Sequence, residues 1–276
     1  MAVEIPRTLS PSKASAFTDC PLAFRYSIID HLPEPPSPLA VKGTLVHSVL
    51  EGLFWERPPG RRSLDAAFEV LEQRWKGIDE DEEFVGLELC ADGKAEFRRD
   101  TELLIRNYFR IEDPDSANAI GVELGMETHL GTTVLRGVID RLDLTNEGQL
   151  VVIDYKTGRA PSSHFEKSRL NGVHTYALLC DRVLGRYPVE VRLLYLRDPV
   201  VIVARPTEQS VRGHTVRTTA VWSAIERACE REDFRPRVSG LCKFCNFQDL
   251  CPAFGAAKNK APKTCDRSGS ELQGEA

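Results

Sequence analysis

Residues 151–158, "VVIDYKTG", place charged side chains within an otherwise apolar run. The β-branched residues Val151, Val152 and Ile153 are typical of a buried β-strand. Side chains two residues apart on a strand point to the same face, so Asp154 and Lys156 share a face. Because burying charged groups is costly unless they are paired, this strand predicts either an ion pair or a functional site.

A second acidic strand precedes this one. Residues 137–144, "GVIDRLDL", are followed by a turn at "NEGQ", and antiparallel pairing across that turn would bring Asp140 beside Asp154. Two such carboxylates repel each other unless a divalent cation such as Mg²⁺ or Mn²⁺ lies between them. A nearby lysine could then orient a metal-bound water or stabilise charge developing at phosphorus. These residues predict metal-assisted phosphodiester hydrolysis, with an exposed polar strand face as the alternative.

The two strand motifs closely resemble those of the RecB-like branch of the PD-(D/E)XK nucleases. Upstream, residues 43–51, "GTLVHSVLE", resemble the G-x-x-x-H helix of that branch. The resemblance implies an α/β fold with a restriction-endonuclease-like core, a mixed β-sheet flanked by helices. It also implies that Mg²⁺ or Mn²⁺ is bound by His47, Asp140, Asp154 and the backbone carbonyl of Tyr155, and that Lys156 positions the attacking water. For His47, a packing role is the alternative.

One family motif is only partly present. The Q-x-x-x-Y motif usually follows the second strand, and Tyr176 matches its tyrosine, which makes Tyr176 a candidate catalytic residue. Gly172 occupies the glutamine position, and Asn171 or His174 could substitute for it. For Tyr176, simple packing is the alternative.

Three cysteines cluster near the C-terminus, in residues 241–252, "LCKFCNFQDLCP". Cys242, Cys245 and Cys251 are compatible with reduced thiols, a zinc site or an iron–sulfur cluster. Residues 9–24, "LSPSKASAFTDCPLAF", resemble the N-terminal segment of the iron–sulfur branch, which includes AddB-type and CRISPR-associated RecB-like nucleases. That resemblance implies that Cys20 completes the ligands of a [4Fe–4S] cluster. The cluster would tie the first helices to the last loop.

The order of helical and strand patterns predicts one nuclease domain over residues 1–255. Residues 9–116 are expected to be mainly helical, residues 117–206 to form the β-meander core, and residues 207–255 to form a helix and the iron–sulfur loop. Residues 77–93 are expected to be an acidic connector, and Gly213 is expected to interrupt the helix near its start. The polar tail, residues 256–276, is expected to be disordered.

Composition does not identify a binding partner. The net charge of −5 does not indicate a nucleic-acid partner, whereas the arginine-rich region 182–243 permits a basic face. The absence of a signal peptide pattern and of apolar runs near the roughly 20 residues that span a bilayer predicts a cytoplasmic protein without membrane contact.

We expect an exonuclease acting on single-stranded DNA or DNA ends in repair or recombination, with a helicase or recombination protein as a possible partner. The alternatives are a non-catalytic iron–sulfur DNA-binding module, serving a helicase or CRISPR complex, and a redox-responsive DNA-binding protein.

Overall fold

The computed structural model describes residues 4–161 and 171–255. The helices in this part of the chain are α1 (Pro11–Asp19), α2 (Pro21–Phe24), α3 (Pro38–Glu56), α4 (Leu64–Lys76), α5 (Glu82–Val85), α6 (Ala91–Ile111), α7 (Asn171–Leu184) and α8 (Glu208–Arg231). A π-helical turn, Arg25–Ile29, extends α2, and 3-10 turns lie at Ile78–Glu80, Pro114–Ser116, Gly240–Phe244 and Gln248–Leu250.

Each of the first two helices begins at a proline. Ser10 caps α1 by accepting a hydrogen bond from the backbone N–H of Lys13, and Pro11 is the first helical residue. Pro21 occupies the same position in α2, directly after Cys20. Cys20 is therefore held at the junction between two helices.

Within the described residues, the strands form one mixed six-stranded sheet. They are β1 (Thr8–Leu9), β2 (Ala119–Leu130), β3 (Thr133–Leu144), β4 (Leu150–Lys156), β5 (Glu190–Tyr195) and β6 (Val200–Ala204). The predicted meander is confirmed, because β2, β3 and β4 pair antiparallel in chain order. Strand β5 then pairs parallel to β4 and antiparallel to β6. The expected mixed α/β fold with helices flanking the sheet is confirmed.

One edge of β3 is shared by two partners. Strand β2 pairs along the other edge, whereas β1 pairs with β3 only at Val134 and Leu135, and β4 pairs only from Arg141 onward. Residues 136–140 of β3 therefore lie in a gap between β1 and β4. Arg136, Gly137 and Val138 in this gap line a cleft.

The sheet separates two apolar cores, as expected from a strand buried on both faces. Helices α3, α4 and α6 cover one face, where Val151, Ile153 and Tyr155 point. Helices α1, α7 and α8 cover the other face, with Leu150 and Val152. Since side chains alternate along β4, Asp154 lies on the face covered by α7, at the end of an apolar row.

Two sequence expectations differ from the structure. Gly213 does not interrupt α8, which runs without a break from Glu208 to Arg231, because packing of its buried face outweighs the weak helix propensity of one glycine. The acidic connector contains α5 and a 3-10 turn, anchored by the buried side chains of Ile78 and Phe84.

The expected disordered tail lies outside the described residues. No helix among the described residues is long and apolar enough to cross a membrane.

Candidate metal centre and nuclease site

The two acidic strands bring their aspartates together at the end of the β3–β4 ladder. Arg141 pairs with Ile153, so the next position along the register places Asp140 opposite Asp154. At this position the contact between β3 and β4 is made by the Asp140 side chain. Its Oδ2 accepts a hydrogen bond of 2.6 Å from the backbone N–H of Tyr155. Asp140 is thereby fixed in orientation, with its other oxygen available.

His47 reaches this point from α3. A Cβ on Gly43 would lie 3.2 Å from Thr157 Oγ1, so the glycine allows α3 to approach the end of β4 closely. One turn later, His47 Nε2 donates a hydrogen bond of 3.1 Å to the carbonyl oxygen of Tyr155. The imidazole packs edge-on against the Tyr155 ring, with the ring centroids 5.8 Å apart. The predicted proximity of His47, Asp140 and the Tyr155 carbonyl is thus present.

Glu123 is the functional candidate that the sequence interpretation missed. His47 Nδ1 lies 3.6 Å from Asp140 Oδ1 and 3.7 Å from Glu123 Oε1. Among the described residues, this His47–Glu123–Asp140 triad is the group of three potential metal ligands whose donor atoms all lie within 4.8 Å of one another. The donor set fits a divalent cation, since carboxylate oxygens suit Mg²⁺ and Mn²⁺ and imidazole is a common ligand.

The Glu123 backbone has an unusual conformation. Its φ of 45° lies in the left-handed region, which costs a residue with a side chain about 1–2 kcal/mol. Val122 pairs with Arg141 and Leu124 pairs with Ile139, so Glu123 lies opposite Asp140. Residues held in such strained conformations concentrate at functional sites.

The two carboxylates of this triad stabilise positive charge between them. Burial alone would lower the pKa of His47, but hydrogen bonds and charge from Asp140 and Glu123 outweigh it and raise the pKa to about 10. The imidazole is therefore protonated between two carboxylates. A cation that binds there has to displace this proton, as is usual for histidine ligands.

Asp154 and Lys156 form the second half of the site. Asp154 is 2% exposed, and its Oδ1 accepts a hydrogen bond of 2.7 Å from the Tyr176 hydroxyl. Lys156 Nζ lies 2.5 Å from Oδ2 as an ion pair, although the approach lacks hydrogen-bond geometry, which leaves Oδ2 unsatisfied. Burial raises the pKa of Asp154, the Lys156 ammonium opposes this, and the charge of Asp140 reinforces it. Asp154 thus contacts Lys156 and Tyr176 and is not one of the three triad residues.

A cleft of about 520 Å³ lies beside this pair. Its lining includes Asp154, Lys156 and Tyr176, together with Arg136 from the β3 gap and Gly172 from α7. Gly172 adds no side chain to the wall where the family usually has glutamine. His174, the other candidate substitute, stacks against His214, with ring centroids 5.8 Å apart. The Asn171 side chain lies outside the described residues.

The four predicted cluster cysteines lie together. Cys20, Cys242, Cys245 and Cys251 line one cavity of about 270 Å³. The Sγ atom of Cys20 accepts a hydrogen bond from the backbone N–H of Arg237, and Cys242 Sγ accepts one from Ser239. Burial, together with the other three thiols, raises the pKa of Cys245. The structure thus brings all four residues to one place.

Comparisons with known proteins agree with this architecture. The chain is 26% identical over 270 residues to the Gene 69 protein of Mycobacterium phage D29, in a match covering 89% of this chain and 96% of that protein. It is 24% identical over 300 residues to the Gene 69 protein of Mycobacterium phage L5, with the same coverage. A solved protein from Eubacterium rectale, provisionally described as an exonuclease, has the same fold, with a TM-score of 0.57, 12% identity and coverage of 94% and 91%.

The family assignment rests on nearly the whole chain. A family model for the PD-(D/E)XK nuclease superfamily matches residues 8–252, a range that contains both strand motifs, the histidine helix and the four cysteines. Members of this superfamily use divalent metals, in agreement with the donor set of the triad. The chain therefore belongs to the PD-(D/E)XK nuclease superfamily.

Proposed function

We propose that this protein is a Mg²⁺- or Mn²⁺-dependent DNA exonuclease that acts on single-stranded DNA or DNA ends in repair or recombination. The observation that carries the proposal is the convergence of His47, Glu123 and Asp140 within 4.8 Å, next to the Asp154–Lys156 pair. Potential metal donors next to an aspartate–lysine pair that lines a cleft are the equipment for phosphodiester hydrolysis.

The donor atoms available to a cation are specific. His47 Nδ1, Glu123 Oε1 and Asp140 Oδ1 face one another, and the Tyr155 carbonyl lies beside His47. When bound, a divalent cation lowers the pKa of water and neutralises charge at phosphorus. Asp140 keeps its orientation throughout, because its second oxygen is held by the Tyr155 N–H.

Lys156 supplies a positively charged ammonium group to the site. Burial lowers its pKa, but the adjacent Asp154 carboxylate outweighs this and raises the pKa, so the ammonium group is charged at neutral pH. Its side chain reaches the cleft, where it can hold a water molecule or a phosphate oxygen. Tyr176 keeps Asp154 in place by its hydrogen bond, which makes Tyr176 a supporting residue of the same site.

The cleft supports a nucleic-acid substrate. Arg136 is exposed at the unpaired part of β3, and Lys156 lies in the same cleft, so two cations face the space where a phosphate backbone would pass. Phosphate contacts by lysine and arginine supply most of the sequence-independent affinity for DNA.

The cysteine cavity supports a structural [4Fe–4S] cluster. The four thiols line one cavity, and four cysteine thiolates are the usual ligands of a [4Fe–4S] cluster. Backbone N–H groups already point at two of the sulfurs, as is common around iron–sulfur clusters. The cluster would join the α1–α2 junction to the C-terminal loop.

The test is an assay with end-labelled single-stranded and double-stranded DNA in Mg²⁺ or Mn²⁺. We expect metal-dependent degradation by the wild type and a loss of at least about 100-fold in Lys156→Ala and Asp154→Asn. Lys76→Ala, a change at an exposed position of α4, is the matched control and should retain full activity. Equal activity in all four proteins would contradict the proposal, and DNA binding without cleavage by the wild type would favour a non-catalytic module.

A further inference from the structure

A buried arginine lies directly behind the metal centre. Arg141 follows Asp140 in β3, is 1% exposed, and points to the opposite face of the sheet. Its guanidinium binds Glu112 through two contacts, of 2.5 and 3.1 Å, and Asp143 through two contacts, of 2.8 and 2.9 Å. Two-pronged contacts of this kind fix a guanidinium in orientation as well as in position.

The same guanidinium holds the ring of Tyr155. Arg141 Nη1 donates hydrogen bonds to the hydroxyl oxygens of Tyr155, at 3.0 Å, and Tyr108, at 3.2 Å. The Tyr108 hydroxyl in turn donates to Glu112, at 2.6 Å, and its ring packs edge-on against Tyr155. The Tyr155 ring, which is fully enclosed on this face, is thus held in a single place.

Tyr155 connects this network to the metal centre through its backbone. Its N–H donates to Asp140 Oδ2, and its carbonyl accepts from His47 Nε2. The side chain of Tyr155 lies on one face of the sheet, and its peptide groups lie at the end of β4. Because ring and peptide belong to the same residue, contacts that hold the ring in place also hold the peptide groups in place. Two of the three triad residues take their orientation from that peptide.

Stability alone does not account for the network. A buried cation is paired here with two partly buried carboxylates, and apolar residues of similar volume often stabilise a core as well as or better than buried ion pairs. Burial raises the pKa of Asp143 even though Arg141 opposes this. An arginine fixes the geometry of this network, because only its planar guanidinium can bind two carboxylates and two hydroxyl groups at once.

We propose that Arg141, oriented by Glu112, is a positioning residue that holds Tyr155 so that its peptide groups set His47 and Asp140 for the divalent cation. Arg141 contacts neither the cation nor the substrate. The inference rests on the proposed function, in that it assumes that the triad binds a metal. Groups that orient metal ligands in this way typically change metal affinity by about 10–100-fold when they are removed.

The test measures Mn²⁺ binding to the full-length protein without DNA, by calorimetry and by the electron paramagnetic resonance signal of free Mn²⁺. We expect Arg141→Lys and Tyr155→Phe each to weaken Mn²⁺ binding by about 10-fold or more. Arg62→Lys is the matched control, because Arg62 is also buried and stacks on Phe54, as Arg141 does. The Arg62 side chain donates to the carbonyls of Arg57, Pro114 and Ala117, and none of these hydrogen bonds involves Tyr155.

Thermal melts separate positioning from simple stabilisation. If Arg141→Lys and Arg62→Lys lower the melting temperature alike and all variants bind Mn²⁺ as tightly as the wild type, the inference is wrong while the proposed function stands. If the wild type binds no Mn²⁺, the proposed function itself is wrong. Should Arg141→Lys fail to fold, Tyr155→Phe decides the question alone, since it removes one hydroxyl and leaves the peptide intact.

Discussion

At the scale of single residues, the site is built from carboxylates whose oxygens have separate tasks. Asp140 uses one oxygen to accept from the Tyr155 N–H and directs the other towards His47. Asp154 uses one oxygen for the Tyr176 hydroxyl and directs the other towards Lys156. Both carboxylates are therefore oriented by the protein, but only Asp140 keeps an oxygen for a metal ion, because Tyr176 and Lys156 engage both oxygens of Asp154.

Glu123 provides the sharpest test at this scale. Glu123→Gln keeps the size of the side chain but removes its charge, so we expect Mn²⁺ affinity to fall by about 10-fold or more. Glu127→Gln, at an exposed position of the same strand, is the control. Calorimetric titration with Mn²⁺ checks both variants, and equal affinities would exclude Glu123 from the metal site.

The sequence motifs pointed to Asp140, Asp154, Lys156 and His47, and they missed Glu123. Glu123 belongs to no motif and lies in an ordinary alternating strand pattern. A signal was nevertheless available, because Leu130 pairs with Thr133 across a tight turn at Gly131. Counting back along both strands from that turn places Glu123 opposite Asp140. The left-handed backbone that turns its side chain towards His47 could not be read from the sequence, since glutamate has no preference for it.

At the scale of elements, the gap along β3 explains why the site lies where it does. Strands β1 and β4 share one edge of β3 and leave residues 136–140 uncovered between them. Helix α7 packs close beside this gap because Gly137 has no side chain, and a Cβ there would lie 2.8 Å from Leu179 Cδ1. Sequence patterns predicted β3 and β4 but not the short strand β1, and the shared edge depends on pairing between distant segments, which local patterns do not encode.

The packing of α7 against α8 includes a buried histidine whose titration can be measured. His214 is 7% exposed, and its Nε2 lies 2.9 Å from Thr175 Oγ1 and 3.2 Å from Thr218 Oγ1. Burial lowers its pKa from the ordinary value of 6.5 to about 4, and the neighbouring His174 and Arg217 add to the shift. The folded protein therefore holds His214 neutral in conditions where the unfolded chain would protonate it.

The sign of the effect follows from proton binding. Between pH 6.5 and about 4 the unfolded chain binds more protons at this position, so the stability present at neutral pH is lost as the pH falls, by about 3 kcal/mol at pH 4. Urea unfolding at a series of pH values should show this loss in the wild type and a shallower one in His214→Gln. His129→Gln, exposed on β2, is the control. Identical pH slopes in the wild type and His214→Gln would contradict the assignment.

At the scale of the whole molecule, the two ends of the described chain meet. Strand β1 joins the sheet beside β3, and α1 and α2 lead from there to Cys20. The C-terminal loop returns to the same region, where Arg237 donates a hydrogen bond to the carbonyl oxygen of Thr18 and Tyr26 donates one to that of Leu250. These polar contacts are exposed and few, so they hold the loop weakly by themselves.

A cluster bound at the four cysteines would change that balance, because metal-binding free energy adds to folding free energy. We expect anaerobically purified wild type to be brown and to contain four iron atoms per chain. Cys20→Ser should lose colour and iron, and trypsin should then cut at the exposed Lys243 in the C-terminal loop while the sheet remains folded by circular dichroism. Cys90→Ser, which lies outside the cavity, should behave as the wild type does. A Cys20→Ser protein that keeps its iron and resists trypsin would show that the ends are held together without the cluster.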